Sequence, residues 1–285
     1  MPSIVIVGGG PAGLSAAIYA ARANLAVTVL YQDGGSLGKT DKIENYFGFA
    51  EPLSGAELLA RGQAQAQRLG ATLVQTEVTG IEYAAQGFVV KTTGAHYPAD
   101  AVILATGAPR AVPPIAGVRD FEGRGVSYCA VCDAFFYRGK AVAVLGQGEY
   151  ALEEARALLP VAASVTLLTN GSTPPATLPE GLLVEQRPVV AIEGEGKVAQ
   201  VTFAAGAPCA VDGVFIAYGT VGSSDFARKL GAQLDGTRIQ TDSGMATAVP
   251  GVFAAGDCTG GLLQVAKAVA DGAQAAMSAV KFLRK

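Results

Sequence analysis

The sequence predicts an α/β fold: two Rossmann-like nucleotide-binding domains, the second inserted into the first. Three observations carry this. An apolar strand at residues 4–7 runs into Gly8-Gly9-Gly10-Pro11-Ala12-Gly13 and then into a helix of small residues. The same strand, glycine turn and helix return at residues 141–159, with Gly146-Gln147-Gly148 at the turn. Each copy closes on an apolar strand that ends in glycine, residues 100–107 in the first and 212–219 in the second. Recurrence of a whole module marks two units of one kind, and the second is the shorter. The expected limits are 1–110 with 217–285 for the outer domain and 111–216 for the inserted one.

The totals suit two such domains. A chain of 285 residues is long for one hydrophobic core. Half of it is hydrophobic, only 16% is charged and there are 37 glycines, which describes a compact enzyme rather than a disordered or fibrous chain. The net charge of −3 comes without a run of like charges, so nucleic acid and anionic membranes are poor partners. No apolar stretch approaches the ~18 residues of a membrane span. The first residues lack the basic start and cleavage site of a signal peptide. Four cysteines are too few for a disulfide scaffold, and a reducing, cytoplasmic setting is expected.

The first turn has the spacing G-x-G-x-x-G in its proper context of strand, turn and helix. Gly8 permits the turn, Gly10 lets a pyrophosphate approach the backbone, and Gly13 lets helix and strand pack closely. Pro11 and Ala12 lie within the turn, and the helix expected from Leu14 has its N-terminus facing the phosphates. A second strand at residues 26–30 should deliver an acid to the adenosine ribose. Asp33 lies about twenty residues beyond Gly13, as that role requires, but it equally fits the opening of the turn Asp33-Gly34-Gly35. A glycine-rich stretch then leads to residues 43–49, whose aromatics predict a packed end.

Ser54 with Glu57 has capping-box spacing and starts a helix over residues 54–69. Residues 72–98 read as strands and turns, with Val78 heading one strand and a hairpin at Thr93-Gly94-Ala95. His96, the only histidine, falls just past that hairpin in a solvated position. Acid–base work must therefore fall to carboxylates, tyrosine or cysteine. Ala105-Thr106-Gly107 closes the unit, and residues 108–114 read as a linker.

Next comes Ser127-Tyr128-Cys129-Ala130-Val131-Cys132-Asp133. Two thiols at C-x-x-C spacing can close a small disulfide ring and reopen it, and such pairs commonly include a thiol of depressed pKa. Asp133 supplies a proton donor and acceptor beside them. The other reading is half of a structural zinc site, which needs four ligands. Cys209, Cys258 and His96 are the remaining candidates and share no ligand spacing, so the pair reads as a redox centre and no metal is expected. After the second module, residues 251–257 form another apolar strand, ending at Gly256 and Asp257. An Ala-rich helix follows over about residues 263–282. Asp257 reads either as a ligand contact at a strand end or as a helix N-cap.

Taken together, these motifs resemble the low-molecular-weight thioredoxin reductases. They run in that family's order over nearly the whole chain, and the Cys-Ala-Val-Cys-Asp motif, with aromatics behind it, is specific. The resemblance implies FAD bound by the outer domain, a redox disulfide in the inserted domain, and a homodimer. By matching position, Cys132 would face the flavin and Cys129 would exchange with the disulfide of a thioredoxin-like dithiol protein. Asp133 would be the acid–base group. Asn45, Gln264 and Val265 would help to hold the flavin with Asp257, completing a cofactor set of Gly8, Gly10, Pro11, Ala12, Gly13, Asp33, Asn45, Val78, Ala105, Thr106, Gly107, Gly256, Asp257, Gln264 and Val265.

One departure stands out. NADPH-using members carry a His-Arg-Arg cluster and a further Arg after the second strand of the inserted domain, to grip the 2′-phosphate. Here the strand at residues 165–168 runs into Thr169-Asn170-Gly171-Ser172-Thr173-Pro174-Pro175, and Arg156 is the only basic residue between positions 141 and 186. Glu149 adds negative charge at the turn. The resemblance therefore points to the pyridine-nucleotide-independent branch, which includes ferredoxin-linked flavin thioredoxin reductases. A donor near −400 mV reducing a disulfide near −270 mV releases about 6 kcal/mol for two electrons. Ferredoxin or a second flavin is the expected donor. The alternatives are a flavin dithiol oxidase passing electrons from a small dithiol to oxygen, an NADPH thioredoxin reductase with a degenerate cofactor site, and a redox-sensing flavin module without turnover.

Overall fold

The computed structural model describes residues 1–107, 114–128, 130–217 and 222–284, with the backbone alone for Val131 and Cys132. The chain divides into two compact units, Met1–Arg110 with Gly222–Lys285, and Ala111–Val221.

The first unit opens with β1 (Ser3–Val7), α1 (Pro11–Arg22) and β2 (Ala26–Tyr31). α2 (Gly55–Arg68) follows, capped by Ser54, whose hydroxyl accepts from the Glu57 N–H at 3.1 Å. β3 (Thr72–Gln75) completes one edge of the main sheet. A small antiparallel sheet comes next, formed by β4 (Val78–Tyr83), β5 (Phe88–Thr92) and β6 (His96–Ala99). β7 (Ala101–Leu104) then returns to the main sheet beside β1. Its four residues are all buried, the continuous apolar run of a strand covered on both faces.

The second unit holds β8 (Val126–Ser127), α3 (Ala130–Asp133), β9 (Ala141–Gly146), α4 (Gly148–Leu158) and β10 (Ser164–Leu168). β11 (Leu182–Glu185), β12 (Val189–Glu193), β13 (Gln200–Phe203), β14 (Cys209–Ala210) and β15 (Gly213–Ala217) complete it. Its parallel sheet has the order β11-β10-β9-β15-β8, and β12-β13-β14 form a separate antiparallel sheet. β15 pairs with β9 through Ala217, so the return to the first unit falls after residue 217 rather than at it.

The first unit resumes with α5 (Ser223–Lys229), the two-residue strands β16 (Leu234–Asp235) and β17 (Arg238–Ile239), then β18 (Val252–Ala254) and α6 (Val265–Leu283). β18 pairs parallel with β7, giving the order β18-β7-β1-β2-β3. The core of this unit lies between α1, α6 and the sheet, where Ala16, Ala17, Ala20, Ala275, Ala276 and Ala279 are fully buried. Side chains this small let the helices and sheet approach closely. Gly272 shows how closely: a Cβ there would lie 2.0 Å from the Ala12 carbonyl oxygen.

One sequence expectation is corrected. Of residues 43–49 only Ile43 is buried, paired through an isolated bridge to Leu53, while Phe47 is 99% exposed. The aromatic run therefore does not make a packed end. The last helix starts at Val265, with Gln264 at its N-cap. No helix among the described residues is long and apolar enough to cross a membrane.

Candidate active site

At the first turn the glycines are fixed by contact. A Cβ on Gly8, which has φ of +120°, would fall 2.2 Å from the Ala105 carbonyl oxygen, and one on Gly13 would fall 1.9 Å from that of Gly8. A Cβ on Gly10 would meet nothing within 4 Å, so the turn opens onto free space there. No side chain caps α1 and no acid lies in its first turn. Uncapped N–H groups beside open space are what a pyrophosphate needs. The helix begins at Pro11, three residues before the Leu14 expected from the sequence, so Pro11 and Ala12 belong to its first turn.

Ala105 is buried, and Thr106 is held by a reciprocal pair of bonds. The Thr106 N–H donates to the Ser223 hydroxyl at 3.0 Å, and the Ser223 N–H donates to the Thr106 hydroxyl at 2.8 Å. Asp33 Oδ1 accepts from the Gly35 N–H at 2.7 Å. Val78 is buried at the start of β4 opposite Thr92. Asn45 and Gln264, both exposed, meet: the Asn45 amide donates to Gln264 Oε1 at 2.8 Å.

Asp257 opens a short 3₁₀ turn behind Gly256, which has φ of +86°. The reading of Asp257 as a helix N-cap is not what this geometry gives, because Gly256 holds that position. Sequence reasoning missed what secures the turn. Lys267 Nζ donates to the Gly256 carbonyl and to the Thr259 hydroxyl, each at 2.8 Å, and pairs with Asp271 at 2.6 Å. Asp271 in turn accepts from the Gly256 N–H at 3.1 Å. A half-buried base and a buried acid on one turn of α6 thus place the residue next to Asp257.

In the second unit, Cys129 lies outside the described residues, and Cys132 lies in α3 by its backbone. Asp133 ends that helix and accepts from the Ser127 hydroxyl at 2.6 Å. The Ala130 N–H donates to the buried carboxyl of Glu154 at 2.6 Å. Glu154 was not singled out by sequence, although the signal is there. It lies in helical phase with Tyr150, Ala151 and Leu158, an acid on an apolar face.

The second glycine turn repeats the first in its contacts, since a Cβ on Gly146 would fall 2.1 Å from the Ala217 carbonyl oxygen. It differs in charge. Glu149 occupies the first turn of α4, and Arg156 pairs with Glu149 at 2.5 Å and with Glu153 at 2.6 Å. The hydrogen bond that Arg156 donates to Glu149 raises the guanidinium above its ordinary pKa. Beyond β10, Asn170 Oδ1 accepts from the Val189 N–H at 2.8 Å, and the Thr169 hydroxyl donates to the Ser172 carbonyl. Arg187, the next cation, is bound to Glu185 and to the carbonyls of Ala205 and Ala207.

Two Rossmann-like sheets, an open and uncapped glycine turn in one and a Cys-x-x-Cys segment in the other, define a flavin disulfide oxidoreductase. The chain belongs to the pyridine nucleotide-disulphide oxidoreductase family, whose model matches residues 2–272. It is 37% identical to the thioredoxin reductase of Aquifex aeolicus over 98% of this chain and 93% of that protein. Among solved structures, the atypical thioredoxin reductase TRi from Desulfovibrio vulgaris Hildenborough superposes with a TM-score of 0.93 at 40% identity, covering 100% of this chain and 98% of the other. A ferredoxin-flavin thioredoxin reductase from Clostridium acetobutylicum gives 0.72 at 32% identity, covering 99% and 98%. The chain is a thioredoxin reductase-type flavin disulfide oxidoreductase, and its cofactor is FAD.

Proposed function

We propose that this enzyme reduces the disulfide of thioredoxin or a similar small dithiol protein with electrons that come from ferredoxin or another flavin carrier, not from a nicotinamide. One observation carries the reading: Arg156, the only basic side chain from residue 141 to residue 186, is already paired with Glu149 and Glu153. A 2′-phosphate is normally gripped by charge-assisted, bidentate Arg contacts. NADH would need an acceptor for its ribose hydroxyls, and Asn170 Oδ1 is engaged with Val189. Glu149 sets a negative charge in the helix turn where a pyrophosphate would lie. The likeness to an atypical and to a ferredoxin-linked thioredoxin reductase supports the same choice.

We assign FAD to the unit built from both ends of the chain. Gly8, Gly10, Pro11, Ala12 and Gly13 would take the pyrophosphate. Asp33, Val78, Ala105, Thr106 and Gly107 would line the dinucleotide. Asn45, Gly256, Asp257, Gln264 and Val265 would hold the flavin end. FAD, when bound, relays electrons from the donor to the cysteine pair. The Cys129 thiolate attacks one sulfur of the substrate disulfide, forming a mixed disulfide, and the departing thiolate takes a proton. Cys132 then attacks the Cys129 sulfur, closing the 129–132 disulfide and releasing the second substrate thiol. Two electrons and two protons leave the pair, and Asp133 is the residue that holds and passes the proton. The working form is a cytoplasmic homodimer.

The test is anaerobic stopped-flow at the flavin absorbance maximum. Excess NADPH or NADH should leave the flavin oxidised for many seconds, whereas reduced ferredoxin should bleach it and open the disulfide. Full reduction by either nicotinamide within about a second would return the enzyme to the NADPH-linked pattern. Hydrogen peroxide formed from a small dithiol alone would mark it as a dithiol oxidase.

A further inference from the structure

We infer that Glu154 is a positioning residue for the Cys129–Cys132 pair, an inference that rests on the reading of that pair as the redox centre. Glu154 is 2% exposed and comes from the buried face of α4, among Tyr150, Ala151, Leu152, Ala155 and Leu158. Its Oε2 accepts from the Ala130 N–H at 2.6 Å, a buried bond spanning 24 residues. That N–H belongs to the peptide joining Cys129 to Ala130, inside the four-residue spacing that must close into a ring. At the other end of the segment, Asp133 is tied to Ser127 at 2.6 Å.

A helix as short as α3 does not hold itself, because helix nucleation is unfavourable without tertiary support. A buried carboxyl on an apolar face also costs stability unless it is hydrogen-bonded. Each problem is met by the other: the acid is satisfied by the N–H, and the N–H is fixed by the acid. The consequence is chemical. An intramolecular disulfide forms according to the effective concentration of its two thiols, which depends on how narrowly the backbone between them is held. Glu154 narrows that geometry from α4, the helix that starts at the second glycine turn. The other acids near that turn, Glu149 and Glu153, face outward to Arg156 and take no part.

The experiment equilibrates the holoenzyme with glutathione redox buffers, traps free thiols by alkylation and reads the fraction of closed 129–132 disulfide by mass. Glu154→Gln keeps an oxygen acceptor, whereas Glu154→Asp withdraws it by one methylene. Wild type and Glu154→Gln should agree within about threefold in equilibrium constant. Glu154→Asp should lower the constant about tenfold through the lost hydrogen bond, a rise of about 30 mV in the potential of the pair. Should Glu154→Asp not fold, Glu154→Leu fills the same volume without an acceptor and must show the same loss. A wild-type constant in the Asp or Leu variant, or equal changes in Gln and Asp, overturns the inference. A wild-type enzyme whose two cysteines do not titrate together with the buffer refutes the redox reading itself, a separate result.

Discussion

Asn45 and Gln264 are joined side chain to side chain at 2.8 Å although 219 residues separate them in the chain. The bond ties the loop after β2 to the start of α6, so each residue holds the other in place beside the expected flavin end. Asn45→Ala and Gln264→Ala should each weaken FAD binding about three- to tenfold, in line with a lost hydrogen bond of about 1 kcal/mol. The double variant should lose less than the product of the two, because either change already breaks the shared bond. FAD titration of the apoprotein by fluorescence quenching measures this, and strictly multiplicative losses would show that the two residues act apart.

Asp133→Asn should keep FAD but slow turnover of a disulfide substrate by about 10²-fold, the lower end for a positioned acid–base group. Ser127→Ala, which removes only the partner bonded at 2.6 Å, should slow it by less than about tenfold. The assay is disulfide reduction by dithionite-reduced enzyme across pH. Unchanged rates in Asp133→Asn would remove that residue from the proton path.

Cys258 is buried in the 3₁₀ turn that Asp257 opens, with Sγ at 3.3 Å from the Ala255 carbonyl, and burial pushes its thiol up to about 11. Below pH 9 both folded and unfolded chains keep this proton. Between about 9 and 11 the unfolded chain loses it first, so stability falls as pH rises. The loss should reach about 1–3 kcal/mol. Urea unfolding at pH 8 and pH 10.5 should show wild type losing more than Cys258→Ala over that window, and parallel losses would contradict the assignment. At pH 8 the folded protein should also resist alkylation at Cys258.

Arg156→Ala removes both ion pairs of α4. They are partly exposed, so screening limits them and stability should fall by less than about 1 kcal/mol. If Arg156 serves only Glu149 and Glu153, flavin reduction by nicotinamides should be as slow as in wild type. A change of more than tenfold with NADPH would show that Arg156 does contact a nucleotide.

Much of this was legible in the sequence, and for physical reasons. Strand, glycine turn and helix are local signals, and the close contacts of Gly8 with Ala105 and of Gly146 with Ala217 explain why no larger residue stands there. The missing cations after β10 were equally plain. What sequence could not give is pairing between distant loops, since no periodicity links Asn45 to Gln264 or Lys267 to the Gly256 turn. Glu154 escaped because it sits in a run with Glu153, and only the phase of α4 separates the buried acid from the exposed one. Phe47 misled for the converse reason: an aromatic in an apolar run reads as core, yet this one faces water.

The order of strands in the first unit has a consequence for biosynthesis. β18 lies at one edge of its sheet beside β7, and α6 packs on α1, so segments translated after the second unit complete a sheet begun before it. The second unit is one continuous stretch, Ala111–Val221, with all strands of its own sheets in hand before β18 is translated. Domains fold as units during synthesis. The inserted unit can therefore mature while β1, β2, β3 and β7 still wait for their neighbour. A chain released early would carry a finished disulfide unit beside an unfinished cofactor cradle lacking Asp257 and Gln264. Retention of flavin is thus a readout of translation carried through α6.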